Sequence, residues 1–111
     1  MTVTDSGSQT ATVSTEHTLG GSGITTNGTY VCRVDLGNLA LGDDLALRVY
    51  TKTRTADTLR LEYETRIKHV PQFKNITSPA IPIGSGEVQF RLEQLAGTGR
   101  AFPWTILQID G

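Results

Sequence analysis

The segment TLRLEYETRI, residues 58–67, decides the fold class of this chain. Apolar residues take alternate positions along it, and most positions between them carry Arg or Glu. The apolar set is Leu59, Leu61, Tyr63 and Ile67. Successive side chains of a β-strand point to opposite faces, so strict alternation is typical of a strand with one buried face. The segment therefore predicts a half-buried β-strand.

Three further segments repeat this alternation. They are residues 29–36, 45–55 and 87–95, and the turn TADT, residues 55–58, joins the second of them to TLRLEYETRI as a hairpin. The inward residues predict a core made of Tyr30, Leu36, Leu45, Leu47, Val49, Leu59, Leu61, Ile67, Val88, Phe90, Leu92 and Ile106. The single cysteine, Cys32, lies on the apolar side of its strand, which favours a buried spacer over a reactive thiol.

The other segments carry weaker signals. Residues 9–19, QTATVSTEHTL, are rich in β-branched Thr and Val, which favour strands over helices. GTGRAFPW, residues 97–104, predicts the connection to a last strand over Trp104–Asp110. Residues 71–86 hold three of the four prolines, and this composition predicts a long crossing loop because proline lacks the N–H needed in a ladder.

Short alternating strands without helical periodicity predict an all-β protein. We expect a single-domain antiparallel β-sandwich, jelly-roll-like, over residues 9–111, with a small β-barrel as the alternative. Residues 1–8 have no pattern and predict a flexible N-terminal arm. A length of 111 residues suits one domain with one core.

Composition narrows the possible partners. Ten Lys and Arg against eleven Asp and Glu give a net charge of −1, so no strong field draws the chain to nucleic acid. The apolar runs are far shorter than the ~20 residues of a membrane-spanning helix. We therefore expect neither nucleic acid nor a membrane as partner. One cysteine permits no disulfide within the chain.

Residues typical of catalysis or metal binding are sparse. No GxSxG, HExxH or GxxxxGK[ST] motif occurs, and His17 and His69 are far apart in the sequence. Asp43 and Asp44 follow a glycine, and a solvated turn explains them better than a calcium loop does. Glu62 and Glu64 alternate with arginines, which favours a salt-bridged surface. We expect no enzyme, no cofactor and no metal.

Three stretches, taken in chain order, resemble a known class of proteins. TVSTEHTL at 12–19, VDLGNLALGDDLALRVYTK at 34–52 and GTGRAFPW at 97–104 are similar to small virion proteins of tailed bacteriophages that look like head-decoration (cement) proteins. The resemblance implies a non-enzymatic protein at the capsid surface of the virion, made in the cytoplasm of the host bacterium. It also implies the major capsid protein as partner and stabilisation of the head as function.

No functional residues carry over from this resemblance, so the contact residues are inferred from the chain itself. Residues 1–8 and 71–86 are candidate capsid contacts, since many weak contacts repeated by lattice symmetry give high total affinity. Self-association into a small cyclic oligomer is a further option. The candidate contact residues are Thr2, Val3, Thr4, Asp5, Phe73, Lys74, Asn75, Ile76, Arg100, Phe102 and Trp104.

Two interpretations of GTGRAFPW stay open. Phe102 and Trp104 either close one end of the sandwich, with Arg100 over an aromatic face, or stay exposed and anchor a partner. The alternative functions are a carbohydrate-binding module on the virion surface, with Tyr50, Phe73 and Trp104 as aromatic platform, and a tail or connector subunit.

Overall fold

The computed structural model describes residues 1–109, and within them nine β-strands form and no helix does. Asp110 and Gly111, the end of the predicted domain and last strand, lie outside the described residues. The strands are β1 (Thr2–Thr10), β2 (Glu16–Thr18), β3 (Gly28–Asp35), β4 (Asp44–Lys52), β5 (Arg60–Lys68), β6 (Asn75–Thr77), β7 (Ile81–Ile83), β8 (Glu87–Ala96) and β9 (Ala101–Gln108).

The strands build two antiparallel sheets that pack face to face. Sheet A has the order β1-β9-β3-β6, with β7 also paired to β3, and sheet B has the order β2-β8-β4-β5. This confirms the all-β sandwich. Within the described chain each sheet ends in open edge strands, so the alternative of a small closed barrel does not form.

The pairings are nested around the β4–β5 hairpin. β4 pairs with β5, β3 with β6 and β7, β2 with β8, and β1 with β9. The chain is thus a long antiparallel ribbon, folded over so that its successive strand pairs fall in different sheets. With β6 and β7 counted as one interrupted strand, the order is that of an eight-stranded jelly roll.

The core lies between the sheets and largely follows the predicted alternation. Nine of its predicted members are buried: Tyr30, Leu36, Leu45, Leu47, Val49, Val88, Phe90, Leu92 and Ile106. Cys32 is fully buried, and burial raises the pKa of its thiol to about 12, so the residue is an inert spacer. Leu59 and Ile67 are only half-buried.

The prediction that Leu61 lies in the core is wrong, because a β-bulge reverses the side-chain alternation in β5. Val49 pairs with Tyr63, but the next residue, Tyr50, pairs with Leu61, so Glu62 is the extra residue. A one-residue slip moves a side chain to the other face of a sheet. Leu61 therefore lies beside Tyr50 on the outer face and is 50% exposed.

The predicted flexible arm at residues 1–8 is corrected as well. Thr2–Thr10 forms edge strand β1, which pairs with β9 along its length. Gly7 lies opposite Trp104, and a Cβ at Gly7 would come within 3.2 Å of the indole. Backbone hydrogen bonds hold this strand although its side chains are almost all exposed, so no apolar pattern marks it in the sequence.

Three further boundaries differ from the sequence prediction. The predicted strand at 9–19 is interrupted by a turn in which Ser14 has a φ of 69°, and only Glu16–Thr18 pairs with β8. The predicted loop at 71–86 contains β6, which lies between Pro71 and Pro79, and β7, whose central residue Pro82 lies opposite Thr29. Residues 101–104 belong to β9 rather than to a connection.

The bulge makes a stability test possible. Leu47→Ala should lower the free energy of unfolding by about 2 to 5 kcal/mol, because it leaves a cavity in the core. Leu61→Ala should lower it by less than about 1 kcal/mol, since half of that side chain is already in water. Urea denaturation measures both. Equal losses would place Leu61 in the core and contradict the bulge.

Candidate partner-contact surface

A buried carboxylate organises the loops at one end of the sandwich. Asp43, immediately before β4, is 1% exposed. Its carboxylate accepts hydrogen bonds from the N–H of Ala40 (2.9 Å), the N–H of Thr98 (3.1 Å) and Nε of Arg100 (2.7 Å). Gly97 has a φ of 94°, and a Cβ there would collide with this carboxylate. We call this arrangement the Asp43 clamp, and it ties the loop before β4 to the β8–β9 turn.

The clamp corrects two sequence predictions. Asp43 does not lie in a solvated turn. Burial by itself raises the pKa of Asp43, but hydrogen bonds from Arg100 and from the amides of Ala40 and Thr98 outweigh burial and hold that pKa below its usual value. Arg100 does not lie over an aromatic face, because its Nε donates to this carboxylate, and its side chain is 32% exposed. Asp44 forms an ion pair with Arg66 at 2.7 Å.

The same end of the molecule exposes three large apolar side chains. The N–H of Gly42 donates to Nδ1 of His69 (3.0 Å), and the N–H of His69 donates to the carbonyl of Asp43 (2.8 Å), so the β3–β4 and β5–β6 loops run side by side. Leu41 is 80% exposed, Val70 60% and Phe73 72%. We call these three residues the apolar tip.

The sequence predicted only Phe73 of the apolar tip. Leu41 lies in GNLALGDD and Val70 precedes Pro71, and an apolar residue in such polar or proline-marked loops is a weak signal of exposure. No pattern within either segment shows that the two loops are neighbours, so the tip is visible only in the folded chain.

Two predicted contact residues belong to the core instead. Phe102 is fully buried and Trp104 is 8% exposed, because both lie on the inward side of β9 with Ile106. Tyr50 is also occupied: Arg91 lies 4.2 Å from its ring centroid and its hydroxyl bonds Glu16 at 3.2 Å. The aromatic platform expected of a sugar-binding module is therefore not assembled, and Phe73 alone stays exposed.

The outer face of sheet B is charged, and its arginines and glutamates form ion pairs with one another. Arg48 binds Glu16 (2.7 Å), Glu64 (2.6 Å) and Glu93 (2.6 Å) from three neighbouring strands, and Arg91 adds a second bond to Glu16 (2.9 Å). Burial raises the pKa of Glu16, yet hydrogen bonds from Arg48, Arg91 and Tyr50 outweigh it and lower that pKa. We call this surface the charged face.

The outer face of sheet A is nearly uncharged. Its strands contain only Asp5, Arg33 and Asp35 as charged residues, whereas each long strand of sheet B contains at least three. Asp5 pairs with the buried Ile106, so its side chain lies on the inner side of the sheet. The outward residues of β9 and their β1 partners are Ala101 with Thr10, Pro103 with Ser8, Thr105 with Ser6, and Leu107 with Val3. We call this surface the low-charge face.

The predicted contact segments lie at the two edges of sheet A. Thr2, Val3, Thr4 and Asp5 are exposed in β1, while Lys74 and Asn75 are exposed and Ile76 is half-buried at β6. Three strand spacings, about 14 Å, separate β1 from β6. The low-charge face thus joins two segments that lie roughly 70 residues apart in the sequence.

The described residues form shallow concave surfaces on both sheets. One of about 460 Å³ lies at the β4–β5 hairpin and is lined by Thr51, Thr53, Ala56, Asp57, Thr58, Arg60, Leu61 and Glu62. A depression of about 210 Å³ in the low-charge face is lined by Arg33, Asp35, Asn75, Pro103, Trp104 and Thr105. Among residues 1–109, no group of three or more His, Cys, Asp or Glu side chains is placed to hold a metal ion.

None of the residues that the structure describes forms a helix long and apolar enough to cross a bilayer. No family model, curated protein or solved structure matches the chain.

The Asp43 clamp predicts an acid-sensitive stability. A carboxylate whose folded-state pKa is lowered stabilises the fold above its unfolded pKa, and this contribution is lost as the pH falls through the folded-state pKa. Asp43→Asn should lower the free energy of unfolding at pH 7 by about 2 to 4 kcal/mol and flatten its decline in acid. The measurement is denaturant unfolding between neutral pH and pH ~3. Asp57→Asn, in an exposed pair with Arg54, is the control and should leave the neutral-pH midpoint nearly unchanged.

The charged face predicts a second destabilisation that is largest near neutral pH. Arg48→Met keeps the aliphatic volume but leaves three carboxylates without their shared cation. We expect a loss of about 1 to 3 kcal/mol at pH 7 that shrinks in acid, because Arg48 helps to lower the pKa of Glu16 and this contribution to stability is lost when Glu16 is protonated. Unfolding at several pH values tests this, with Arg54→Met as control. A loss that stays constant with pH would show that Arg48 acts only through packing.

Proposed function

We propose that this chain is a non-enzymatic structural protein of a tailed-bacteriophage head, which decorates the outside of the capsid and binds the major capsid protein. The proposal combines the resemblance in TVSTEHTL, VDLGNLALGDDLALRVYTK and GTGRAFPW with the surface chemistry of the fold. Its partner is the capsid lattice, and its effect is to stabilise the head.

The segregation of charge between the two sheets carries this proposal. Protein interfaces are depleted of charged residues at their centre, and the outward residues of β1 and β9 on the low-charge face are Ser, Thr, Ala, Pro, Leu and Val, with Arg33 and Asp35 of β3 beside them. The charged face, by contrast, pairs its own ions and has the composition of a solvated surface. The low-charge face therefore has the composition of a protein-binding surface, and the charged face has that of a surface exposed to water.

The edges of sheet A extend this contact surface. Val3, 58% exposed, lies at one edge, and Asn75 lies at the other beside the depression that Pro103 and Thr105 line. A partner side chain inserted into that depression would add shape specificity to a flat contact. Repetition over a symmetric lattice then multiplies the affinity of each modest contact.

The proposal is tested by binding to purified heads of the phage that encodes the chain, prepared without it. The wild-type protein should co-sediment with the heads and raise their resistance to heat. Thr105→Arg, at the centre of the low-charge face, should weaken binding by roughly 30-fold or more, the effect of losing one interface hot spot. Thr58→Arg, the same change at an exposed position of sheet B's hairpin, should bind as wild type. Heads that take up no protein would refute the proposed function.

A further inference from the structure

We propose that the apolar tip and the open side of β6 together receive an extended, acidic segment of the partner protein. The inference rests on the proposed function and names the part of the surface where the capsid protein is held. It is carried by three features of one end of the sandwich: exposed apolar side chains, unpaired cations and an unpaired strand edge.

The apolar side chains are presented on a fixed scaffold. Leu41, Val70 and Phe73 are each at least 60% exposed, although the loops that carry them are joined by two hydrogen bonds. The N–H of Gly42 donates to His69, and the N–H of His69 donates to the carbonyl of Asp43. Apolar side chains held in water without a partner cost free energy that binding recovers, and their fixed loops lose little entropy when they bind.

The charges beside the tip are cationic. Lys74 follows Phe73 directly, and Lys68 precedes His69; both lysines are exposed, and neither takes part in the ion pairs of the described chain. Of the three carboxylates at this corner, Asp43 binds Arg100, Asp44 binds Arg66, and Asp35 accepts a hydrogen bond from the N–H of Gly37. Arg66, Lys68, Lys74 and Arg100 therefore outnumber them by one. A chain with a net charge of −1 thus carries a locally positive end, and the complementary partner bears Asp or Glu.

The strand edge beside the tip selects a protein partner. β6 pairs with β3 on one side only, and the bonds from Leu36 N–H to Lys74 and from Ser78 N–H to Cys32 fix which backbone groups face β3. In this register the N–H and C=O groups of Asn75 and Thr77 point to the open side. A partner strand can pair with them, with Phe73 and Lys74 placed one step further along the same chain.

A lipid surface fits these observations less well. Phospholipid chains have no groups that pair with a strand edge, and a backbone left without partners is unfavourable in hydrocarbon. The neighbouring β6 edge would then be a cost, whereas for a protein partner it is a source of hydrogen bonds.

The test uses the full chain and purified phage heads prepared without it. Leu41→Ser/Val70→Ser/Phe73→Ser should fold, since all three side chains are exposed, and should lose roughly 30-fold or more in affinity. Leu61→Ser is the matched control, an exposed apolar residue at the far end of β5, and should bind as wild type. Lys74→Glu should weaken binding most at low salt, with Arg60→Glu as its control.

A separate variant probes strand pairing. Asn75→Pro removes an N–H that points away from β3, so the fold should keep its melting temperature while binding falls. Vesicles of phosphatidylcholine and phosphatidylserine form the last arm, to which wild type should not bind.

The outcomes separate the two proposals. If the triple serine variant binds heads as tightly as the wild type does, this inference is overturned and the proposed function stands. Absence of wild-type binding to heads overturns both. If the wild type binds the anionic vesicles and the triple variant does not, the tip contacts a lipid surface and the inference is also overturned. Binding to heads that falls for the triple variant and for Asn75→Pro, but not for Leu61→Ser, supports it.

Discussion

Nested antiparallel pairing is the constraint on which the whole molecule depends. The β4–β5 hairpin is local, and each later pair, from β3 with β6 and β7 to β1 with β9, joins segments further apart in the chain. Closing a loop costs entropy that grows with its length, but each inner pair shortens the loop that the next pair must close. The ribbon is therefore secured from the hairpin outward. Its last pair is also its least buried, since β1 contributes almost only backbone hydrogen bonds.

Folding the ribbon into two sheets leaves a corner where distant loops meet, and the Asp43 clamp fixes that corner. A buried carboxylate is unfavourable unless donors surround it, and here two amides and Arg100 supply them. One donor comes from the β3–β4 loop and two come from the β8–β9 turn, so one side chain sets the relation between these two connections. The β3–β4 loop, which carries Leu41 of the apolar tip, is held by this clamp and by the burial of Leu39.

The two outer faces of the sandwich differ in charge. Arg48 and Arg91 neutralise the glutamates around them on the charged face, which keeps many ions on the surface with little net field. The β6 edge borders the low-charge face, and Phe73 of the apolar tip lies in the loop that precedes β6. We propose that this side of the molecule recognises its partner by shape, apolar contact and backbone pairing, with repetition over a lattice adding to the strength of each contact.

Side-chain alternation determined, from the sequence alone, the all-β sandwich, the strands β3, β4, β5 and β8, and nine of the core residues, because burial of one strand face leaves a period-two trace in that strand. The tertiary structure alone decided the rest. β1 and β6 are held by backbone groups, which every residue carries alike. Because of the bulge at Glu62, Leu61 points outward. Phe102 and Trp104, predicted as contact residues, lie on the inward side of β9 and belong to the core. The burial of Asp43 and the hydrogen bond between Gly42 and His69 arise where separate loops come together, and contacts between distant segments leave no periodic mark in either one.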